Sequence, residues 1–95
     1  MNTISRRRIR EFVQTHPDAE SSLNAWYKVA RNAEWRSLDA VRKVYPHADL
    51  VGRYTVFNIR GNRYRLIAQV NYQFQQILIR EILTHKEYDE EKWKS

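Results

Sequence analysis

The sequence VFNIRGNRYRLIAQV, residues 56–70, holds two runs of alternating apolar and polar residues on either side of Gly61 and Asn62. A Gly-Asn pair between two such runs is typical of a two-residue β-hairpin, because glycine readily adopts the positive φ of the first turn position. We therefore predict two antiparallel strands, over residues 54–59 and 63–70.

This predicted hairpin sorts its side chains onto two faces. The length of the turn fixes the register, so Ile59 should face Tyr64 and Phe57 should face Leu66. These apolar side chains share one face, which can pack against helices. The opposite face should collect the polar side chains of the hairpin, namely Asn58, Arg60, Arg63, Arg65 and Gln69.

Three arginines on one face of a sheet need an explanation, because like charges opposed across strands are destabilising. An anion between Arg60, Arg63 and Arg65 would remove the repulsion, and a phosphodiester is the obvious candidate. Asn58 and Asn62 would then contact the nucleic acid to which this phosphodiester belongs. Alternatively, the arginines extend into solvent and protect the sheet from aggregation, and the asparagines are ordinary polar residues beside a turn.

A third strand is predicted over about residues 76–83, where strict alternation would place Arg80 on one face with Leu78 and Ile82. Both faces of this strand are largely apolar, as in a strand covered on two sides. Two interpretations of Arg80 therefore stay open. It forms a structural ion pair with a carboxylate, or it has a catalytic role.

Helical patterns fill the first half of the chain. We expect a first helix capped by Thr3, a second capped by Asp18, and a shorter third beginning at Ser37. In the third, Val44 should face inward and Pro46 should end the helix. Helices, then an antiparallel meander, then a short terminal helix form an α+β layout, which we expect to be one domain spanning residues 1–95.

The composition favours a small basic protein of the cytoplasm. There are 95 residues, no cysteine, and a net charge of +6 with a pI near 9.9. The absence of cysteine excludes disulfides and thiolate metal sites. No apolar stretch approaches the length of a membrane span, and the N-terminus does not resemble a secretory signal. Such a charge most often serves nucleic acid, with a membrane surface or an acidic protein as alternatives.

A basic cluster, Arg6 to Arg8, lies on the first predicted helix. Charge runs of this kind are often simply solvated. Otherwise this cluster contacts RNA or an acidic partner.

The motif THKEYD, residues 84–89, opens the terminal helix. Thr84 and Glu87 have the spacing of a capping box, but His85 and Lys86 place positive charge where it opposes the helix dipole. A neutral imidazole is favoured there, and it can accept a proton. Tyr88 lies one turn further on the same helical face. The cap alone does not explain His85 and Lys86, so this segment is a candidate for function.

The segments VFNIRGNRYRLIAQV at 56–70 and IREILTHKEYD at 79–89, preceded by SLDAVRKVYPHAD, resemble the HigB branch of the RelE-like toxins of bacterial toxin–antitoxin systems. This resemblance implies an α+β fold with helices packed on one face of a small curved antiparallel sheet. It also implies an endoribonuclease that cleaves mRNA, usually in the ribosomal A site, without a metal or other cofactor, and so inhibits translation. The implied partner is a HigA-like antitoxin with a helix-turn-helix domain.

The family's catalytic residues fall here on Arg65, His85 and Tyr88. In such chemistry the ribose 2′-OH attacks the phosphate, so a guanidinium can stabilise the phosphorane and a histidine can serve as acid or base. Tyr88 can orient the 2′-OH, stack on a base or shuttle a proton. Relatives in the wider RelE group tend to have a basic residue in place of His85, which leaves the acid and base roles open. The expected RNA-contacting residues are Asn58, Arg60, Asn62, Arg63, Arg80 and Lys86.

Two other functions also fit the residues. A non-catalytic RNA-binding module could use the same basic sheet face, and a plain interaction protein could carry its charge for solubility or for an acidic partner.

Overall fold

The computed structural model describes residues 1–94, which form a five-stranded sheet with helices against one face. The first half contains β1 (Asn2–Ile4), α1 (Arg6–Thr15), a 3₁₀ turn (Pro17–Ala19), α2 (Glu20–Asn32) and α3 (Leu38–Val44). The second contains β2 (Asp49–Val51), β3 (Tyr54–Ile59), β4 (Tyr64–Asn71), β5 (Gln76–Thr84), α4 (His85–Asp89) and a terminal 3₁₀ turn (Lys92–Lys94). The strand order is β1-β5-β4-β3-β2. The expected α+β class is confirmed.

The central hairpin, β3 and β4, has the expected register. Ile59 pairs with Tyr64 and Phe57 pairs with Leu66. The turn closes with a hydrogen bond from the backbone N–H of Arg63 to the carbonyl of Arg60, at 3.3 Å. Gly61 takes a φ of +63° there, which an L-residue rarely adopts.

The core lies between the apolar face of this hairpin and the helices. In α2 the residues at helical spacing, Leu23, Trp26 and Ala30, are buried as expected. Trp26 packs edge to face on Phe57, with ring centroids 5.3 Å apart. The apolar face of the hairpin is completed by Leu66, which is fully buried. Helix packing against this face leaves the opposite face of β3 and β4 for other contacts.

The N-terminus departs from expectation. Thr3 does not cap a helix but lies in β1, which runs parallel to β5. The residue before α1 is Ser5, which has a φ of +74° and makes no side-chain cap hydrogen bond. A strand of three residues is too short to show an alternating pattern, so β1 could not be predicted from the sequence. The expectation that Thr3 caps a helix was therefore wrong.

The third helix begins where the sequence predicted, but its buried face differs from the prediction. Ser37 caps α3, with its Oγ accepting from the N–H of Ala40 at 3.2 Å. Val41 is fully buried, but Val44 is half exposed, so the inward placement of Val44 was wrong. The next element, β2, pairs with β3 at the sheet edge and was not expected from sequence.

A β-bulge interrupts the alternation of β5. Ile67 pairs with Glu81, but the next residue of β4 pairs with Ile79, so Arg80 is the extra residue. The bulge moves Ile82 onto the core face with Ile79, where both are buried. The expectation that Ile82 shares a face with Arg80 was therefore wrong. Arg80 and Glu81 are both exposed.

The hairpin core can be tested with two identical truncations. Leu66→Ala should lower the free energy of unfolding by about 2–5 kcal/mol, because it opens a cavity in a fully packed site. Leu50→Ala is the matched control, since that side chain is 55% exposed at the sheet edge; its effect should stay within about 0.5 kcal/mol. Urea unfolding followed by circular dichroism measures both. Equal effects of the two variants would contradict the assigned faces.

Candidate functional site

Helix α4 follows β5 without an intervening loop, and a capping box fixes the junction. The Thr84 hydroxyl accepts from the N–H of Glu87 at 3.2 Å, and the Glu87 carboxylate accepts from the N–H of Thr84 at 2.9 Å. This confirms the capping box expected from sequence. The backbone N–H of His85 also donates to the carbonyl of Arg63 at 3.0 Å. The start of α4 is thereby tied to the hairpin turn.

His85 is oriented by a carboxylate one turn further along α4. Its Nδ1 lies 2.8 Å from Oδ2 of Asp89, and the imidazole is 44% exposed. An ionised carboxylate can only accept, so the proton in this contact belongs to Nδ1. Nε2 is then the ring nitrogen that can exchange a proton with a substrate. The spacing of His85 and Asp89, four residues on a helix, was the signal that our sequence analysis missed.

Arg65 is a nearly buried cation, with only 9% of its surface exposed. Its Nη1 donates to the carbonyls of Asn62 and Tyr64 at 3.2 and 3.1 Å, and its Nη2 donates to the Asn62 side-chain oxygen at 2.6 Å. Its Cζ lies 5.5 Å from the centroid of the Tyr88 ring. The turn residue Asn62 and the strand residue Arg65 therefore form one unit in the hairpin. The contact between Arg65 and Tyr88 brings this unit together with the residues of α4.

The aromatic rings extend this site across the open face of the sheet, the face opposite α2 and α3. Trp93 stacks on Tyr88 with centroids 5.1 Å apart and meets Tyr54 edge to face at 6.2 Å. The indole N–H of Trp93 donates to the carbonyl of Tyr88 at 3.0 Å. Sequence analysis did not select Trp93. A lone aromatic residue in a charged terminal segment was the available signal.

Arg60 and Arg63 do not share the open face with Arg65, which corrects our expectation. Arg60 hydrogen-bonds to the Asp18 carboxylate, and Nη1 of Arg63 lies 3.8 Å from the same carboxylate. The Tyr64 hydroxyl also donates to Asp18, at 2.7–2.8 Å. Tyr64 belongs to the core face, so both arginines turn toward the helices. The cause is the turn, where Arg60 has a φ of +51° and leaves the alternation of the strand.

Asp18 is likewise not the cap of α2. It lies inside the 3₁₀ turn, and Ala19 occupies the cap position without a side-chain hydrogen bond. Its carboxylate is used in the long-range contact instead. The hydrogen bond from Tyr64 holds the pKa of Asp18 below its usual range, and the same bond raises the pKa of Tyr64.

The arginine cluster of α1 divides among three surroundings. Arg6 lies over the ring of Tyr27 at 4.7 Å, and Arg7 pairs with Glu11 at 3.3 Å. Arg8 lines a cavity at the open face of the sheet.

Three further residues expected to contact RNA are Asn58, Arg80 and Lys86. Asn58 pairs with Arg65 across the hairpin and is half-buried. Arg80 at the bulge and Lys86 in α4 are exposed. Within residues 1–94, no three or more histidine and acidic side chains cluster in a way that could hold a metal ion. No helix of that described part is both long and apolar enough to cross a membrane.

The comparison with protein families agrees with this fold and site. A family model described as HigB toxin, the RelE-like toxic component of a toxin–antitoxin system, matches residues 19–91. The α+β fold and this match together define a RelE-like toxin. Within that class, the chain belongs to the HigB toxin family, as its sequence motifs suggested.

Individual relatives match nearly the whole chain. The chain is 28% identical over 92 residues to the mRNA interferase toxin HigB of Escherichia coli K12, a match that covers 94% of this chain and 88% of the relative. The mRNA interferase HigB of Shigella flexneri is equally similar. The mRNA interferase HigB of Escherichia coli O6:H1 is 25% identical over 92 residues, covering 94% of this chain and 89% of the relative.

The Asp18 contact predicts a particular dependence of stability on pH. A carboxyl with a lowered pKa in the folded state adds stability above its unfolded pKa, and this stability is lost as pH falls through the folded value. Asp18→Asn should therefore be less stable than the wild type at pH 7. The difference should shrink below about pH 4, where the unfolded carboxyl takes up its proton. Urea unfolding at a series of pH values measures both proteins.

Tyr64→Phe supplies the control, since the Tyr64 hydroxyl is the main cause of the shift. In this background the pH-dependent part of the Asp18→Asn effect should be much reduced. Parallel loss of stability by wild type and Asp18→Asn on acidification would contradict the assignment.

Proposed function

We propose that this chain cleaves mRNA on the ribosome, in the A site, without a metal ion, and that it inhibits translation in this way. Membership of the HigB toxin family and relatives named mRNA interferases support the proposal. The observation that carries it is the Arg65 guanidinium, which is nearly buried and, among residues 1–94, hydrogen-bonds to neutral oxygens and to no carboxylate. A cation desolvated in this manner is costly unless an anion completes its surroundings.

We infer that the Nε side of the Arg65 guanidinium binds a phosphate. Three N–H groups, two on Nη1 and one on Nη2, are used by Asn62 and Tyr64. The Nε–H and the second Nη2–H lie on one edge of the guanidinium, and no residue in the described part of the chain bonds to Nε. Two parallel donors on one edge match two phosphate oxygens. In the transition state they would stabilise the charge that develops on the phosphorane.

His85 and Tyr88 supply the proton chemistry in this proposal. The 2′-OH must lose a proton and the 5′ leaving oxygen must gain one, and no metal is needed for either step. His85 exchanges the proton through Nε2 while Asp89 holds Nδ1. Tyr88, whose ring lies against Arg65, orients the 2′-OH or takes the other proton. Proton transfer by a positioned side chain contributes about 10²–10⁴-fold to a rate.

The RNA path in this proposal follows the open face. Asn58 and Asn62 flank Arg65, and the exposed Arg80 and Lys86 offer positive charge for neighbouring phosphates. Arg60 and Arg63 face Asp18 instead, so we place them at the margin of this path. The net charge of +6 suits a ribosomal partner. We further propose a HigA-like helix-turn-helix antitoxin as the protein partner and the cytoplasm as the location.

The catalytic assignment predicts a loss of cleavage on truncation. His85→Ala should slow mRNA cleavage by about 10²–10⁴-fold, and Arg65→Ala by about 10²–10³-fold. His47→Ala and Arg36→Ala are matched controls, since both side chains are exposed in loops outside the site. Primer extension in a cell-free translation reaction measures the rates, and circular dichroism verifies that each variant is folded.

Three outcomes separate the candidate functions. Wild-type rates for both site variants would refute the site assignment. Salt-sensitive RNA retention without any cleaved product would instead favour a non-catalytic RNA-binding module. Neither binding nor cleavage would leave only the interaction-protein alternative.

A further inference from the structure

A single carboxylate holds both ends of the turn between β3 and β4. Asp18, in the 3₁₀ turn after α1, accepts hydrogen bonds from the guanidinium of Arg60 and from the hydroxyl of Tyr64, the latter at 2.7–2.8 Å. Its Oδ2 also lies 3.8 Å from Nη1 of Arg63. These partners stand before and after the Gly-Asn pair at residues 61–62. Asp18 therefore connects the whole turn to the helical side of the sheet.

The backbone of this turn needs such a connection. Arg60 has a φ of +51° and Gly61 has a φ of +63°. Glycine adopts a positive φ readily, but a residue with a side chain does so rarely and keeps it where its surroundings hold it there. Because the guanidinium of Arg60 is bound to Asp18, a return of Arg60 to a more common backbone conformation would break that ion pair.

Tyr64 is held as firmly on the other side of the turn. Its ring meets Phe12 edge to face with centroids 5.3 Å apart, and it meets His16 in the same way at 5.5 Å. Phe12 and His16 stack on each other at 4.3 Å. Tyr64 is buried, so these rings fix the direction in which its hydroxyl points. That hydroxyl meets the carboxylate of Asp18.

The proposed catalytic residues take their positions from the same turn. Three successive backbone carbonyls, those of Asn62, Arg63 and Tyr64, accept hydrogen bonds from them. The Arg65 guanidinium donates to the first and third carbonyls at 3.2 and 3.1 Å, and the N–H of His85 donates to the second at 3.0 Å. A shift of the turn would therefore displace Arg65 and His85 together.

We infer that Asp18 is a positioning residue of the candidate active site. By binding Arg60 and Tyr64 it sets the conformation of the turn, and the turn carbonyls then set the placement of Arg65 and His85. Within residues 1–94 Asp18 makes no hydrogen bond or ion pair with Arg65 or His85, so it acts through the turn. The inference rests on the proposed function, because it concerns the rate of the proposed nuclease.

Steady-state kinetics of mRNA cleavage test this role. Asp18→Asn retains the size of the side chain but removes the charge that attracts both arginines. It should lower kcat roughly ten- to hundredfold, because small misplacements of reacting groups have effects of this size. KM should not rise, since loss of a negative charge from a basic protein does not weaken its attraction to RNA. A residue that served stability alone would leave the kcat of the folded protein unchanged.

Val41→Ala is the matched control for lost stability. Val41 is fully buried in α3, and within residues 1–94 this helix makes no hydrogen bond to the hairpin turn. The variant should unfold more easily than the wild type because it opens a cavity in the core, and it should nevertheless keep the wild-type kcat. All rates are measured at a temperature at which circular dichroism shows every variant to be folded.

A second substitution in the turn should rescue Asp18→Asn. Asparagine tolerates a positive φ without help from other residues, so Arg60→Asn should make the turn independent of the carboxylate. The double variant should recover most of the lost kcat. Arg36→Asn, at an exposed position outside the site, should recover none of it in the same background.

Hydrogen exchange followed by NMR reports on the site without any cleavage. Asp18→Asn should speed exchange of the His85 N–H by about tenfold, since the carbonyl to which this group donates belongs to the freed turn. The N–H of Asn2 is the internal reference, because it donates to the carbonyl of Gln75 at 2.8 Å, beside the other end of β5. The ratio of the two exchange rates removes any change in global stability.

The outcomes separate this inference from the proposed function. An unchanged kcat in Asp18→Asn, an equal loss in Val41→Ala, no recovery by Arg60→Asn, or an unchanged exchange ratio would each overturn the inference. If cleavage depends on His85 but not on Asp18, the nuclease stands and the inference fails. If the wild type cleaves no RNA but the exchange ratio responds to Asp18→Asn, the positioning contact stands and the proposed nuclease is refuted.

Discussion

The burial of the Arg65 guanidinium against its own hairpin turn is the constraint on which the candidate site depends. Removing a cation from water is costly, and the oxygens of Asn62 and Tyr64 offset only part of that cost. The turn can hold Asn62 in place because Gly61 adopts a positive φ beside it. Under the proposed function, a phosphate of the RNA would complete the surroundings of this cation. Preorganisation of this kind is what electrostatic catalysis requires.

The second constraint is the junction between β5 and α4. Because the capping box begins the helix directly at Thr84, the direction of the strand sets the position of His85. The hydrogen bond from its backbone N–H to Arg63 links that position to the hairpin turn. The imidazole and the Arg65 guanidinium are thus held by regular secondary structure, which positions groups more accurately than loops do.

Local signals in the sequence predicted the parts of the fold that local interactions determine. Gly61 with its flanking alternation predicted the hairpin and its register, and Thr84 with Glu87 predicted the capping box. Thr3 misled for a related reason: a cap signal is also local, but β1 exists only because β5 lies beside it. The bulge at Arg80 was equally invisible, because a bulge is defined by pairing with another strand.

The candidate site likewise contains residues that local motifs predicted and a long-range contact that they did not. Arg65, His85 and Tyr88 were selected from motifs, and the structure places the first against the third. The contact of Asp18 with Arg60 spans 42 residues of sequence, so no local pattern could reveal it. Arg60, which strict alternation had placed on the open face, lies at this contact instead.

The two edges of the sheet have a consequence for how this protein meets others. Each edge strand, β1 and β2, contains only three residues, and α1 lies along the outer part of β5 that β1 leaves unpaired. An extended peptide that tried to lengthen the sheet would find a ladder too short to hold it. Association by strand addition, whether with a partner or in an aggregate, is therefore disfavoured.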